Sequence, residues 1–314
     1  LTLLNDRATI HASQRKRKRE RTMSITVKQL HPIFAAQVTG VDLREPQDAT
    51  TVAAIEDAIN QFGVLVFPGQ FITDAQQMDF SRNFGDLETT VKLYRKDYTP
   101  RLDPHISDVS NLDQNNRIRG KDDRLRLNAL GNRLWHSDSS FKRVPARFSL
   151  LSARAIPSEG GETQFADMRA AWDALPDRMK ARLEGLICEH TQLFSRAKIG
   201  FTDWAEEERL KMAPVPQVLV RTHPGSHRKS LYLSSHAGRI RGMEEPEARM
   251  LLLDLTEHAT QPQFVYTHRW TLGDLVMWDN RCTMHRARDY DETQVRDMHR
   301  TTVSDGRPTV AEAA

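Results

Sequence analysis

The chain has 314 residues, 39% of them hydrophobic and 28% charged, and no apolar run approaches the ~18 residues that a membrane-spanning helix needs. A chain of this length can bury a sizeable core, and its two cysteines, Cys188 and Cys282, exclude a disulfide scaffold or a cysteine-rich zinc site and suit a reducing cytoplasm. The formal charge of +3 misleads, because residues 1–22 hold seven basic side chains against two acidic ones, leaving 38 basic against 40 acidic in the rest, so nucleic acid is not the expected partner.

Residues 1–22 lack the apolar stretch of a secretory signal and read as a leader, either disordered or translated from upstream of a natural start at Met23. Residues 23–314 show no repeat and no Pro/Gly/Ser-rich linker, so one domain is expected. Val52, Ile55, Ile59 and Phe62 recur at helical spacing and stop at Gly63, which predicts a helix over 49–62 with a glycine cap. VLVF at 64–67 reads as a strand. Thr73 and Gln76 form a capping-box pattern ahead of Phe80 and Phe84, and Gly85 is expected to close that helix. Residues 86–131 are polar and weakly periodic, and read as a long surface excursion of the kind that forms lids.

From 145 onward short β-like runs alternate with turns: FSLLSARAI, SEGGETQF, QVLVRTH, RKSLYLSS, QFVYTHRW, GDLVMW and MHRTTV. Such spacing favours a sandwich or barrel. Two helical stretches interrupt it, one from Asp167 to about Glu184 and broken by Pro176, the other from about Glu244 to Ala259.

LWHSDSSF places His136 and Asp138 two residues apart, so on an extended segment both side chains leave the same face and can chelate one ion. Alone, the pair reads more readily as a polar turn with a surface His and Asp. WDNRCTMH adds His285 directly after a strand-like run, and two imidazoles with one carboxylate make the facial triad of non-haem Fe(II), with open positions for co-substrate and O₂. A zinc hydrolase with the same ligands is the chemical competitor, but no HExxH helix supplies its general base. Arg296 and Arg300 alternate with Met298 in VRDMHRTTV, so a strand there puts both guanidinium groups on one face, suited to acidic small molecules. His223 and His236 are expected to shape a hairpin or pocket wall. Trp135, Trp270 and Trp278 suit core or pocket packing, and Cys282 a buried, inert thiol.

These segments, with VTGVDLREP at 38–46, VLVFPGQFITDAQQMDFSRNFGDLE at 64–88 and GGETQFADMRAAWDALP at 160–176, resemble the Fe(II)/2-oxoglutarate-dependent dioxygenases of the taurine and 2,4-dichlorophenoxyacetate dioxygenase family. The likeness runs from about Ile25 to Val303 and is closer to the second branch. It implies an α+β fold with a double-stranded β-helix, or jelly-roll, core and flanking helices. It also implies Fe(II) on His136, Asp138 and His285, with 2-oxoglutarate as co-substrate held by Thr163 and Arg296, O₂ as oxidant, and ascorbate as an activator in vitro. Arg300, Asn132 and Lys92 would face the organic acid substrate. The implied reaction hydroxylates the carbon next to the ether oxygen of an aryloxyalkanoate and yields a phenol, glyoxylate, succinate and CO₂. A taurine, alkylsulfonate or alkylsulfate dioxygenase is the alternative. A cytoplasmic homo-oligomer without nucleic-acid or membrane partners completes the expectation.

Overall fold

The computed structural model describes residues 25–90 and 99–311. The leader and Lys92 lie outside these residues. Strands β1 (Thr26–Gln29) and β2 (Ala36–Thr39) form a hairpin. Helix α1 (Ala49–Phe62) opens where the Asp48 carboxylate accepts the Thr51 N–H, and closes at Gly63, whose φ of 69° a side chain would oppose. β3 (Val64–Phe67) follows. α2 (Asp74–Arg82) has the expected capping box but stops short of Gly85, because the Asn83 amide donates to the Phe80 and Asp79 carbonyls and takes up the acceptors that the last turn exposes.

The chain continues through β4 (Ser107–Asp108), α3 (Arg124–Ala129), a 3₁₀ turn at Leu130–Arg133, β5 (Ala146–Ala155), β6 (Thr163–Asp167), α4 (Met168–Asp173) and α5 (Asp177–Leu183). Next come β7 (Ile187–His190), α6 (Gln192–Ala197), α7 (Glu206–Lys211), β8 (Val215–Val218), β9 (Val220–Thr222), β10 (Lys229–Leu231), β11 (Ala237–Ile240) and α8 (Glu245–Ala259). β12 (Val265–His268), β13 (Leu275–Asp279), β14 (Thr283–Ala287) and β15 (Asp297–Ser304) end the fold. Pro176 separates α4 from α5, as its position predicts.

A seven-stranded sheet runs β1-β2-β3-β13-β5-β15-β4, and a three-stranded sheet β12-β6-β14 packs against it as the second layer of the jelly roll. Alternation sorts the side chains of the large sheet. Leu275 and Met277 of β13, with Phe148 and Leu150 of β5, meet Ile55, Ile59 and Phe80 of α1 and α2. Val276, Trp278 and Leu151 face the other way, onto Phe165 of β6. Phe165 and Trp278 pack 5.4 Å apart at the centre of this layer, and deleting either ring would cost about 3–5 kcal/mol. A third core joins β6 and β14 to α4, α8 and β11.

One expectation needs correction, and three strands were not foreseen. The 86–131 stretch is not only a surface excursion: β4 pairs with β15, Ile106 and Leu112 are buried, and the segment walls the main cavity. Strands β7 and β11, four residues each, and β14, in which polar Thr283 and His285 are buried beside Met284, carry too little apolar alternation to be marked in the sequence.

Candidate active site

His136 and His285 meet because the backbone pairs them directly: each donates its N–H to the other's carbonyl, at 3.0 and 2.8 Å. The His285 ring rests on Trp278 and Phe165, with centroids 4.7 and 6.1 Å away, so the core layer holds it from behind. The His136 Nδ1 lies 2.8 Å from the Leu134 carbonyl, which can only accept. Nδ1 therefore carries the proton and the Nε2 lone pair is free. Asp138 Oδ1 is 3.9 Å from that Nε2, and its Oδ2 is 3.7 Å from Nε2 of His285. These gaps are too long for hydrogen bonds and fit within the ~4.2 Å that two ~2.1 Å bonds to one shared ion can span.

The protonation states also suit an ion. Burial pushes the Asp138 carboxyl up, but Arg300, His285, His136 and the Ser149 hydroxyl outweigh it and hold it at about 2. Burial lowers His136, and lowers His285 well below the usual imidazole range with His136 adding to the effect. Two neutral imidazoles and one carboxylate result, the donor set that a divalent cation needs. His285 Nδ1 has no hydrogen-bond partner among the described residues.

A second cluster of similar composition, His223, Asp279 and Cys282, is fully buried. Its atoms are already committed. His223 Nδ1 accepts from the Ser226 N–H at 3.0 Å, and its Nε2–H reaches Asp279 Oδ2 at 2.8 Å. Asp279 also takes the Arg281 guanidinium, at 2.9 and 2.6 Å. Burial raises the Cys282 thiol, which stays protonated. This cluster offers no lone pair to an ion, and His223 braces the β13–β14 turn as a structural residue.

A cavity of about 480 Å³ opens beside the first cluster, with His136, Asp138, Asn132, Arg296 and Arg300 in its wall. Arg296 is 5% exposed and has no carboxylate within ion-pair distance among the described residues. Its only acceptors there are the carbonyls of Gly161 at 3.3 Å and Val109 at 3.4 Å. Burial pulls its guanidinium down from the usual value, against a smaller effect of Tyr290. A buried cation without a counter-charge is costly unless a ligand brings one. Gly161, at φ 73°, lets the turn lie against this side chain, since a Cβ there would sit 3.3 Å from Arg296 Nε.

Arg300 donates to Asp138 Oδ1 at 2.5 Å. Thr163 stands opposite Ala287 on β14 and so shares a face with His285; it accepts from Trp270 Nε1 at 3.1 Å and is not in the cavity wall. Sequence reasoning had His236 shaping a wall, and it does line the cavity, 6.0 Å from the His136 ring. It missed Arg196, also in that wall, and Ser149, which donates to Asp138 Oδ2 at 2.8 Å. Ser149 and Ser152, two buried serines among the apolar residues of β5, were the available signal.

The chain is similar to known proteins over most of its length. The chain is 47% identical over 284 residues to the alpha-ketoglutarate-dependent 2,4-dichlorophenoxyacetate dioxygenase of Cupriavidus pinatubonensis, covering 90% of this chain and 99% of that protein. It is 38% identical to the (S)-phenoxypropionate/alpha-ketoglutarate-dioxygenase of Sphingobium herbicidovorans, covering 88% and 93%. Among solved structures it superposes on AAD-2, crystallised with Mn(II) and N-oxalylglycine, with a TM-score of 0.86, 53% identity, and coverage of 92% and 100%. Residues 26–302 match the family model described as taurine catabolism dioxygenase TauD, TfdA family. On this match and these identities, the chain belongs to the TauD, TfdA family of dioxygenases.

Proposed function

We propose that this protein is a 2-oxoglutarate-dependent dioxygenase that hydroxylates aryloxyalkanoates of the 2,4-dichlorophenoxyacetate type next to the ether oxygen, so that the product collapses to a phenol and glyoxylate. The observation that carries the reading is the pairing of a His₂Asp cluster, whose imidazoles each keep a lone pair free, with an uncompensated buried cation, Arg296, in one cavity wall or directly behind it. The names of the relatives supply the substrate class.

In this reading His136, Asp138 and His285 hold Fe(II). The bound ion, with 2-oxoglutarate and O₂, supplies the oxidising chemistry, in which the co-substrate is decarboxylated to succinate and CO₂. Arg296 gives the distal carboxylate of 2-oxoglutarate a charge-assisted fork, with Thr163 as a second donor on the same side. Arg300 serves the carboxylate of the organic acid, and as long as it pairs with Asp138 it also keeps that ligand ionised. Asn132, four residues before His136, orients the substrate from the cavity wall. Leu112, Leu130 and Phe141 give the cavity an apolar side that suits an aryl ring. The reading extends to a cytoplasmic homo-oligomer, and light scattering of the purified protein checks the oligomeric part. Among the described residues no helix is long and apolar enough to cross a membrane.

The test is succinate release with Fe(II), ascorbate, 2-oxoglutarate and O₂, run in parallel on 2,4-dichlorophenoxyacetate and taurine. Phenol in step with succinate is the expected result. Sulfite from taurine, without phenol, would move the protein to the sulfonate branch.

A further inference from the structure

We propose that Ser149 and Asn280, neither of which lines the cavity, are positioning residues that orient the Asp138 carboxylate for its metal through a one-way chain of hydrogen bonds. The inference rests on the reading of His136, Asp138 and His285 as metal ligands.

The direction of the chain follows from chemistry. Trp278 Nε1 and the Asp138 backbone nitrogen can only donate, and both reach Asn280 Oδ1, at 3.1 and 3.0 Å. The amide of Asn280 is therefore fixed with its oxygen toward them, and its Nδ2 donates to Ser149 Oγ at 3.0 Å. Ser149 has one hydroxyl proton, and with Asn280 already acting as donor that proton goes to Asp138 Oδ2, 2.8 Å away. Ser149, Trp278 and Asn280 are fully buried and Asp138 is 4% exposed, so water does not compete for these groups.

The placement has a purpose that a mere corner brace would not need. Ser149 sits on β5 opposite Trp278 of β13, in the large sheet. Asn280 stands in the turn where the chain leaves that sheet for β14 and His285, and its backbone N–H binds the Arg147 carbonyl at 2.9 Å. One amide thus ties the segment bearing Asp138 to the strand bearing His285. Arg300 holds Oδ1 while Ser149 holds Oδ2, which restricts rotation of the carboxylate and fixes the lone pairs it offers. Partners of this kind govern how well a ligand set receives its ion.

The experiment titrates Co(II) into the metal-free full-length chain, following its d–d absorbance, alongside the melting temperature of the metal-free protein. Ser149→Ala should weaken Co(II) binding about 10- to 100-fold and change the band envelope. Ser149→Thr, which keeps the hydroxyl, should stay close to wild type. Asn280→Ala should weaken binding comparably, and the double variant should be no weaker than the weaker single variant, because links of one chain are not additive. Wild-type Co(II) affinity and spectrum in Ser149→Ala would overturn the proposal, with a lowered melting temperature then marking a purely structural role. If Asn280→Ala does not fold, the two Ser149 variants decide. Wild-type Co(II) binding by His136→Ala is a separate result, which would refute the ligand reading itself.

Discussion

Two buried clusters of histidine and carboxylate lie in this protein, and their difference shows what makes one of them a site. His136 and His285 each keep an imidazole lone pair that no protein donor claims beside the Asp138 carboxylate, whereas His223 accepts from Ser226 and donates to Asp279, Asp279 is gripped by Arg281, and Cys282 is a protonated thiol. Both are buried and share a histidine and an aspartate, the third member being a histidine in one and a cysteine in the other. The account of donors and acceptors separates them most clearly. A buried carboxylate given a guanidinium on both oxygens is a strut, and one set against two neutral imidazoles is a receptor for a cation. Arg296 repeats the contrast on the cationic side, since Arg281 has its carboxylate and Arg296 awaits one.

The largest expected effect breaks the comparison at its open end. His136→Ala or His285→Ala should abolish dioxygenase activity and weaken Co(II) binding by more than the ~100-fold of an outer contact, read by titration of the metal-free protein. Arg296→Ala should raise the KM for 2-oxoglutarate by roughly 30- to 1,000-fold, about 2–4 kcal/mol, as expected for removal of one partner of a buried charged contact. Steady-state kinetics with varied 2-oxoglutarate would show it. Arg300→Ala should raise the KM for the organic acid far more than that for 2-oxoglutarate, and equal effects would assign Arg300 to the co-substrate.

At the closed end, Asp279→Asn should cost about 3 kcal/mol of stability by stranding Arg281, measured by urea unfolding, while Co(II) affinity stays near wild type. The smallest effect is a pH dependence. Burial raises the Asp279 carboxyl, but Arg281 and His223 overcome it and hold it well below the usual carboxylate range. Its ionised form therefore stabilises the fold above the ordinary aspartate value, and that stabilisation is lost only as the pH falls below it. The stability gap between wild type and Asp279→Asn should stay constant from pH 7 to about 4 and narrow in more acid solution.

The legible parts of the sequence were those in which local chemistry decides. The Gly63 cap, the Thr73–Gln76 box and the His136–Asp138 spacing each depend on neighbours within a few residues, and each is present as read. The end of α2 was misplaced because the Asn83 side chain, and not the glycine two residues on, stops the helix. β14 was illegible because Thr283, Met284 and His285 are buried by partners from far along the chain, so no alternation marks the strand. The same reason hid Ser149 and Asn280, whose roles exist only when β5 and the β13–β14 turn meet. Alternation in VRDMHRTTV was enough to place Arg296 and Arg300 on one face, whereas Thr163, Asn132 and Lys92 were named only through the family resemblance.

The order of strands in the large sheet sets a timetable. β3 and β5 flank β13, and β5 also pairs with β15, so the centre of the sheet is filled by strands synthesised last. Until residue 285 has been made, the His136–Asp138–His285 cluster lacks its third member and the apolar edges of β3 and β5 stand open. Pairings this distant in sequence form slowly, and the waiting chain is the form most prone to aggregate. Chains truncated before residue 270 should be digested rapidly by protease and fail to bind Co(II). A host that makes this chain faster than it shields those open edges is expected to accumulate it as aggregate.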